Sequence, residues 1–218
     1  PGAADAALTV GAVDGTDALA YFSSQGPRAG DKALKPDLTA PGVGILAARS
    51  QYSEGEGLYR LSDGTSMATP HVTGAAALLA AEHPDFTGQQ LKEALMSTSK
   101  PLADVTPFQG GSGRLDVAAA TAATVLATAR ADFGYPDWPT APEGPVEREV
   151  RYTNLAGSDV TLDLATTVAG ATDLFALSAR QLTVPAHGVA SVTVTTQFDR
   201  VPADQPFSGF LTATDSTG

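Results

Sequence analysis

The chain changes its hydrophobic rhythm near residue 130. Before that point, short apolar runs bounded by glycine and proline give way to longer helical patterns; beyond it, apolar and polar side chains alternate over short stretches. Ala7 to Val13 reads as a strand closed by the turn signal Asp14-Gly15, and Tyr21 to Pro27 ends in a further turn. Val43 to Ala48 is a short apolar run that predicts a second, buried strand. Val72 to Ala81 is small and apolar throughout apart from Thr73, so it predicts a helix apolar on all sides and enclosed in a sizeable core. Phe86 to Leu91 carries a helix start, with Thr87 and Gln90 as a capping box and Phe86 and Leu91 as a hydrophobic staple. Leu91, Ala94, Leu95 and Thr98 line one face of the helix that follows. An alanine-rich helix reaching about Ala127, with Asp116 as its N-cap, closes this half.

Composition shifts at Ala131 to Pro139, and the proline and glycine density from Pro139 to Pro145 marks a linker. Val146, Arg148, Val150 and Tyr152 then alternate with Glu147, Glu149 and Arg151, a half-buried strand with Arg148 as its exception, and Val160, Leu162 and Leu164 repeat the alternation. Leu174 to Ser178, Gln181 to Val184, Val189 to Thr196 and Phe207 to Thr214 supply four more strands, which suggests an antiparallel sandwich of the immunoglobulin or fibronectin type III kind. Six strands fall short of the usual seven or so, and Asp215 to Gly218 reads as a turn, so a last strand is expected beyond the end. The expected organisation is an α/β unit over residues 1–129, a linker over 130–145 and a β-sandwich over 146–218.

The chemistry gathers at Gly64-Thr65-Ser66-Met67-Ala68-Thr69-Pro70-His71-Val72-Thr73-Gly74, immediately ahead of the apolar helical run. This string puts Ser66 at a helix N-terminus, where the first N–H groups lack intrahelical acceptors and the macrodipole favours negative charge. An alkoxide or oxyanion at Ser66 would be stabilised there, with the Ser66 N–H as one donor. Pro70 has no N–H to offer the Ser66 carbonyl, so the first turn should be distorted around the serine. A bare Gly-x-Ser also suits a simple helix cap. The α/β-hydrolase elbow Gly-x-Ser-x-Gly fits less well, because Ala68 stands at its last position and no apolar strand is evident ahead of the serine.

The eleven-residue string resembles the nucleophile signature of the subtilisin-like serine proteases, the subtilases. Val10-Gly11-Ala12-Val13-Asp14, Phe22-Ser23-Ser24-Gln25-Gly26-Pro27 and Lys35-Pro36-Asp37-Leu38-Thr39-Ala40-Pro41-Gly42 are similar to subtilase segments in their usual order, and Gln109 to Val117 is similar to the way such domains close. The resemblance implies the C-terminal half of a subtilisin-like parallel α/β sheet, with Ser66 as the acyl-enzyme nucleophile of a secreted endopeptidase. It makes His71 a structural residue and places Asp37 at a structural position, or at most near a weak cation site. It also implies that the triad aspartate and histidine, the oxyanion asparagine and most of the substrate-binding walls precede Pro1, since the subtilisin order is aspartate, histidine, serine. Residues 146–218 resemble, in pattern only, the β-sandwich modules appended to larger bacterial subtilases, with bracing of the catalytic domain as the expected role.

None of the three histidines suits the role of base for Ser66. His71 lies five residues on, about 140° around the helix, and His83 lies seventeen on, about 25 Å along it, where it reads as a capping or surface residue. His187 sits in the turn Val184 to Gly188 and is expected to be exposed. The chain by itself is therefore expected to be incomplete and inactive, with the rest of the catalytic domain supplied by another piece or chain to cover the apolar face of half a sheet. Pro1 is no initiator residue, so the chain reads as a processed product or fragment. The absence of cysteine excludes disulfides and thiolate chemistry, and a net charge of −11 argues against nucleic-acid or anionic-membrane partners. Protein or peptide substrate is the expected partner; no cofactor is implied beyond structural calcium. The rival reading is an inactive fragment or pseudoprotease whose β-sandwich acts as a binding or structural module.

Overall fold

A computed structural model describes residues 2–134, 144–168, 174–197 and 206–216. The first part is built on two parallel strands, β1 (Val10–Val13) and β2 (Leu38–Pro41), paired Val10 to Leu38 through Val13 to Pro41. Strand β2 escaped the sequence reading because two prolines, Pro36 and Pro41, bracket a segment too short to show a period. Strands β3 (Ile45–Ala48) and β4 (Tyr59–Ser62) form a separate antiparallel hairpin. The Val43 to Ala48 expectation is corrected here: the strand is present but largely exposed, because it pairs only with β4 and stands away from the core.

Helix α1 (Thr65–Glu82) packs Ala68, Val72, Ala75 and Leu79 against β1 and β2. These four positions trace one helical stripe. The opposite side is open, with Leu78 57% exposed, so the expectation of a fully enclosed helix is also corrected. Apolar composition all round did not bring burial all round: β1, β2, α2 and α4 lie against part of the helix, and among the described residues nothing covers Leu78.

Helix α2 (Gly88–Ser97) starts as its sequence predicts: the Thr87 hydroxyl accepts from the Gln90 amide, and the Gln90 side chain accepts from the Thr87 amide at 2.9 Å. Ala94 and Leu95 are buried. A short helix α3 (Pro107–Gly110), with its own Thr106–Gln109 box, precedes α4 (Val117–Ala122), which Asp116 caps through the Ala119 amide at 3.0 Å. Helix α4 ends at Ala122 rather than near Ala127, because Val125–Ala127 leaves it as strand β5.

The second part comprises β6 (Pro145–Asn154), β7 (Val160–Val168), β8 (Phe175–Leu177), β9 (Gln181–Val184), β10 (Val189–Gln197) and β11 (Gly209–Asp215). They form two antiparallel sheets, ordered β5-β6-β10-β8 and β11-β7-β9. Val150, Tyr152, Val192 and Val194 from the first sheet share a core with Leu162, Leu164 and Val184 from the second. Burial of the Tyr152 phenol pushes its pKa up to about 12. Strand β5 joins the two parts by alternation: Leu126 belongs to the first core, while Val125 and Ala127 pack against the second. Of the expected linker 130–145, residues 135–143 lie outside the described residues. Arg130 and Asp132 contact the first part directly, the Asp132 carboxylate accepting from the Leu34 amide at 3.0 Å.

Candidate active site

The serine is held by a short relay of backbone bonds from the parallel sheet. The Gly42 amide donates to the carbonyl of Val13 at 2.9 Å, and the Gly64 amide donates to the carbonyl of Gly42 at 2.8 Å. A Cβ on Gly42 would stand 2.7 Å from the Ala12 Cβ and 2.8 Å from the Gly64 oxygen, so only glycine permits this approach. Gly64 itself adopts φ 155°, ψ 156°, a conformation that side chains rarely take, and turns the chain from β4 into α1.

Beyond that turn the Gly64 carbonyl accepts from both Met67 (2.9 Å) and Ala68 (3.3 Å), which tightens the first turn of the helix. The Thr69 hydroxyl donates to the Thr65 carbonyl at 2.9 Å, binding the next turn from outside. Ser66 is thus the second residue of α1, exposed. Among the described residues neither its hydroxyl nor its amide has a hydrogen-bond partner. An exposed hydroxyl and a free N–H at the positive end of an 18-residue helix can accept and stabilise a developing negative charge. They supply no base.

The histidines are placed elsewhere. His71 is exposed and its Nδ1 lies 2.9 Å from the Met67 carbonyl, one turn back on its own helix. His83 is the C-cap residue of α1, at the opposite end from Ser66, with its ring stacked on Phe86 at 4.3 Å. His187 is exposed in a turn at φ 52°, in the second part of the molecule. Among the described residues no histidine bonds to the Ser66 hydroxyl, and strand β4, which ends at Ser62 four residues ahead of the serine, is a feature the sequence reading did not show. Its only signal is Tyr59 and Leu61 alternating with Arg60 and Ser62.

Asp37 is completely buried. Its carboxylate meets Lys35 Nζ at 2.7 Å, Lys92 Nζ at 3.2 Å, Arg130 at 3.4 Å and the Thr9 amide at 2.7 Å. Burial lowers the pKa of the Lys92 ammonium, and the Asp37 charge offsets part of that shift. With three cationic side chains and an amide around it, the carboxylate is already compensated from within the chain. Lys92 and Arg130 come from 55 and 93 residues away in sequence, which is why sequence alone did not assemble this cluster. Among the described residues there is no group of three histidine, aspartate or glutamate side chains arranged to hold a metal ion, and no helix is long and apolar enough to cross a membrane.

The subtilase family profile matches residues 1–135. Subtilisin-like protease SBT1.7 of Arabidopsis thaliana is 39% identical over 135 residues, covering 52% of this chain and 18% of that protein. The CO(2)-response secreted protease of the same plant is 37% identical over 118 residues, covering 45% of this chain and 15% of its own length. The chain thus spans less than a fifth of either relative. Among solved structures, a protease from Pseudoalteromonas arctica PAMC 21717 is 32% identical with a TM-score of 0.48, over 56% of this chain and 37% of that one.

Proposed function

The chain belongs to the subtilase family, and from that premise we propose that Ser66 is the acyl-enzyme nucleophile of a secreted serine endopeptidase whose histidine and aspartate come from outside residues 1–218. The observation that carries this reading is the geometry of Ser66, an exposed hydroxyl with an unengaged amide in the first turn of α1, inside the Gly64 to Gly74 string.

In the proposed reaction the Ser66 Oγ attacks the scissile carbonyl as its proton passes to a histidine of the completing segment. Negative charge collects on the carbonyl oxygen of the tetrahedral intermediate. The Ser66 N–H, supported by the α1 dipole, is aimed at that oxygen. The histidine returns the proton to the leaving amine, and water then releases the acyl group from Ser66. The substrate is a protein or peptide. Placement of His71, His83 and His187 supports a base from elsewhere, and the open side of α1 offers the surface against which a completing segment would pack.

The two antiparallel sheets support a second domain of the immunoglobulin or fibronectin type III type over 146–218, joined through 130–145 to a catalytic half over 1–129. Its role is to brace that half, which the shared strand β5 favours. Secretion is inferred from the family and from a relative whose name describes it as secreted.

Fluorophosphonate labelling, mapped by peptide mass, tests the proposal. The full-length parent should label at Ser66 and lose both label and peptidase activity on Ser66→Ala, while the 218-residue chain alone should not label. An unlabelled, correctly folded parent would overturn the nucleophile and favour the pseudoprotease.

A further inference from the structure

Two lysines meet one carboxylate in the interior of the first part, and charge pairing alone does not explain both. Side-chain exposure is 7% for Lys35, 11% for Lys92 and 0% for Asp37. One lysine would neutralise Asp37, and a second ammonium in the same buried place adds desolvation cost. What the two lysines share is a set of acceptors. Lys35 Nζ donates to Asp37 Oδ2 at 2.7 Å and to the Ala7 carbonyl at 2.8 Å. Lys92 Nζ, from α2, meets Asp37 Oδ1 at 3.2 Å and donates to the same Ala7 carbonyl at 3.1 Å.

A buried carboxylate beside a main-chain carbonyl is the kind of oxygen set that a hard cation such as calcium takes. The family resemblance places Asp37 at most near a weak cation site, and the donors present decide whether a metal fits there. It does not. Oδ1 is shared by Lys92 and, at 3.4 Å, Arg130; Oδ2 by Lys35 and the Thr9 amide at 2.7 Å; the Ala7 carbonyl by both lysines. Calcium takes about 6–8 oxygen ligands at about 2.3–2.6 Å, and among the described residues no group of three acidic or histidine side chains is gathered to supply them. It would also have to enter beside three side-chain cations.

We propose that the ammonium groups of Lys35 and Lys92 stand in the place of a metal ion at Asp37, so that the protein carries its cation covalently and takes none from solution at this site. The inference rests on the family and not on the reading of Ser66. Together the two lysines bring the charge of a divalent ion to the same oxygens. A dissolved ion stabilises a fold only as far as its concentration exceeds its dissociation constant. A tethered ammonium is free of that dependence. Here it ties α2 to the segment holding Ala7 and Thr9 and to the residue just ahead of β2, while Arg130 links the same carboxylate to the junction with the second part.

The test uses the full-length parent in two steps. Crystals soaked in terbium chloride, a calcium substitute with a strong anomalous signal, should show both Nζ atoms on the Asp37 and Ala7 oxygens and no ion among them. An anomalous peak on those oxygens, with the lysines displaced, overturns the proposal. Thermal unfolding then compares the wild type with Lys35→Met/Lys92→Met, in EDTA and in calcium chloride. Calcium bound elsewhere shifts both proteins alike, so the difference between them isolates this site. The double variant should lose stability in EDTA and regain part of it in calcium chloride, a rise in Tm larger than that of the wild type by about 2 °C or more. An equal calcium response in the two makes the lysines ordinary ion-pair partners of Asp37 and also overturns the proposal. If the double variant fails to fold, Lys35→Met alone, which vacates the two shorter contacts, carries the same comparison. Neither readout uses peptidase activity or the labelling of Ser66, so failure here leaves the nucleophile in place, and an unlabelled parent leaves this site in place.

Discussion

At the scale of single residues, the position of Ser66 is set by two glycines rather than by any side chain. Gly42 leaves room for the Gly64 carbonyl, and Gly64 makes the turn that a side chain would resist. Gly42→Ala should therefore cost about 1–3 kcal/mol by overpacking, measured by urea denaturation, and in the parent it should slow fluorophosphonate labelling of Ser66. Asp17 shows the electrostatic counterpart. Its hydrogen bond from Lys100 at 2.8 Å, then the charges of Arg114 and Lys100, hold its carboxyl below the ordinary value of 3.8. A depressed carboxyl contributes stability that is fully present above pH 3.8 and is lost as pH falls through the lowered folded value. Asp17→Asn keeps a residue suited to φ 68°. Its urea midpoint should lie below that of the wild type at pH 6, and the two should converge in more acid solution.

At the scale of elements, local rules decide starts and neighbours decide burial. The capping box at Thr87 forms within five residues of chain, so it was legible in the sequence, and Thr87→Ala should destabilise by about 1 kcal/mol with helix α2 losing amide protection first. The end of α4 was not legible. Val125 to Ala127 can continue an alanine-rich helix as easily as it can pair with β6, and only the presence of Asn154, Thr153 and Tyr152 alongside settles it. The β3–β4 hairpin makes the same point, because its apolar letters suggest a core strand while its pairing removes it from the core.

At the scale of the whole molecule, strand β5 couples the two parts. Leu126 is 2% exposed in the first core while its neighbours Val125 and Ala127 line the second. The segment just after it fastens the same junction, since Arg130 reaches both Asp5 at 2.7 Å and the buried Asp37. Leu126→Ala should cost about 2–5 kcal/mol and lower the hydrogen-exchange protection of β1 and β10 together. Loss confined to β1 would show that the two parts are independent.

The family was legible in the letters because the turn into α1 demands particular residues: glycines where the backbone crowds or takes an unusual φ, and small residues where the helix meets the sheet. The alternation of residues 146–196 likewise gave away its strands, since a half-buried ribbon must repeat every second residue. What the tertiary structure alone decided depends on distance in the chain. The cations around Asp37 come from three separate segments, the open face of α1 depends on what this chain places beside it, and the hairpin's exposed leucines depend on which strand pairs with which. Local sequence fixes conformation through short-range sterics and hydrogen bonds; burial and charge compensation are set by residues far away along the chain, which only the folded arrangement brings into contact.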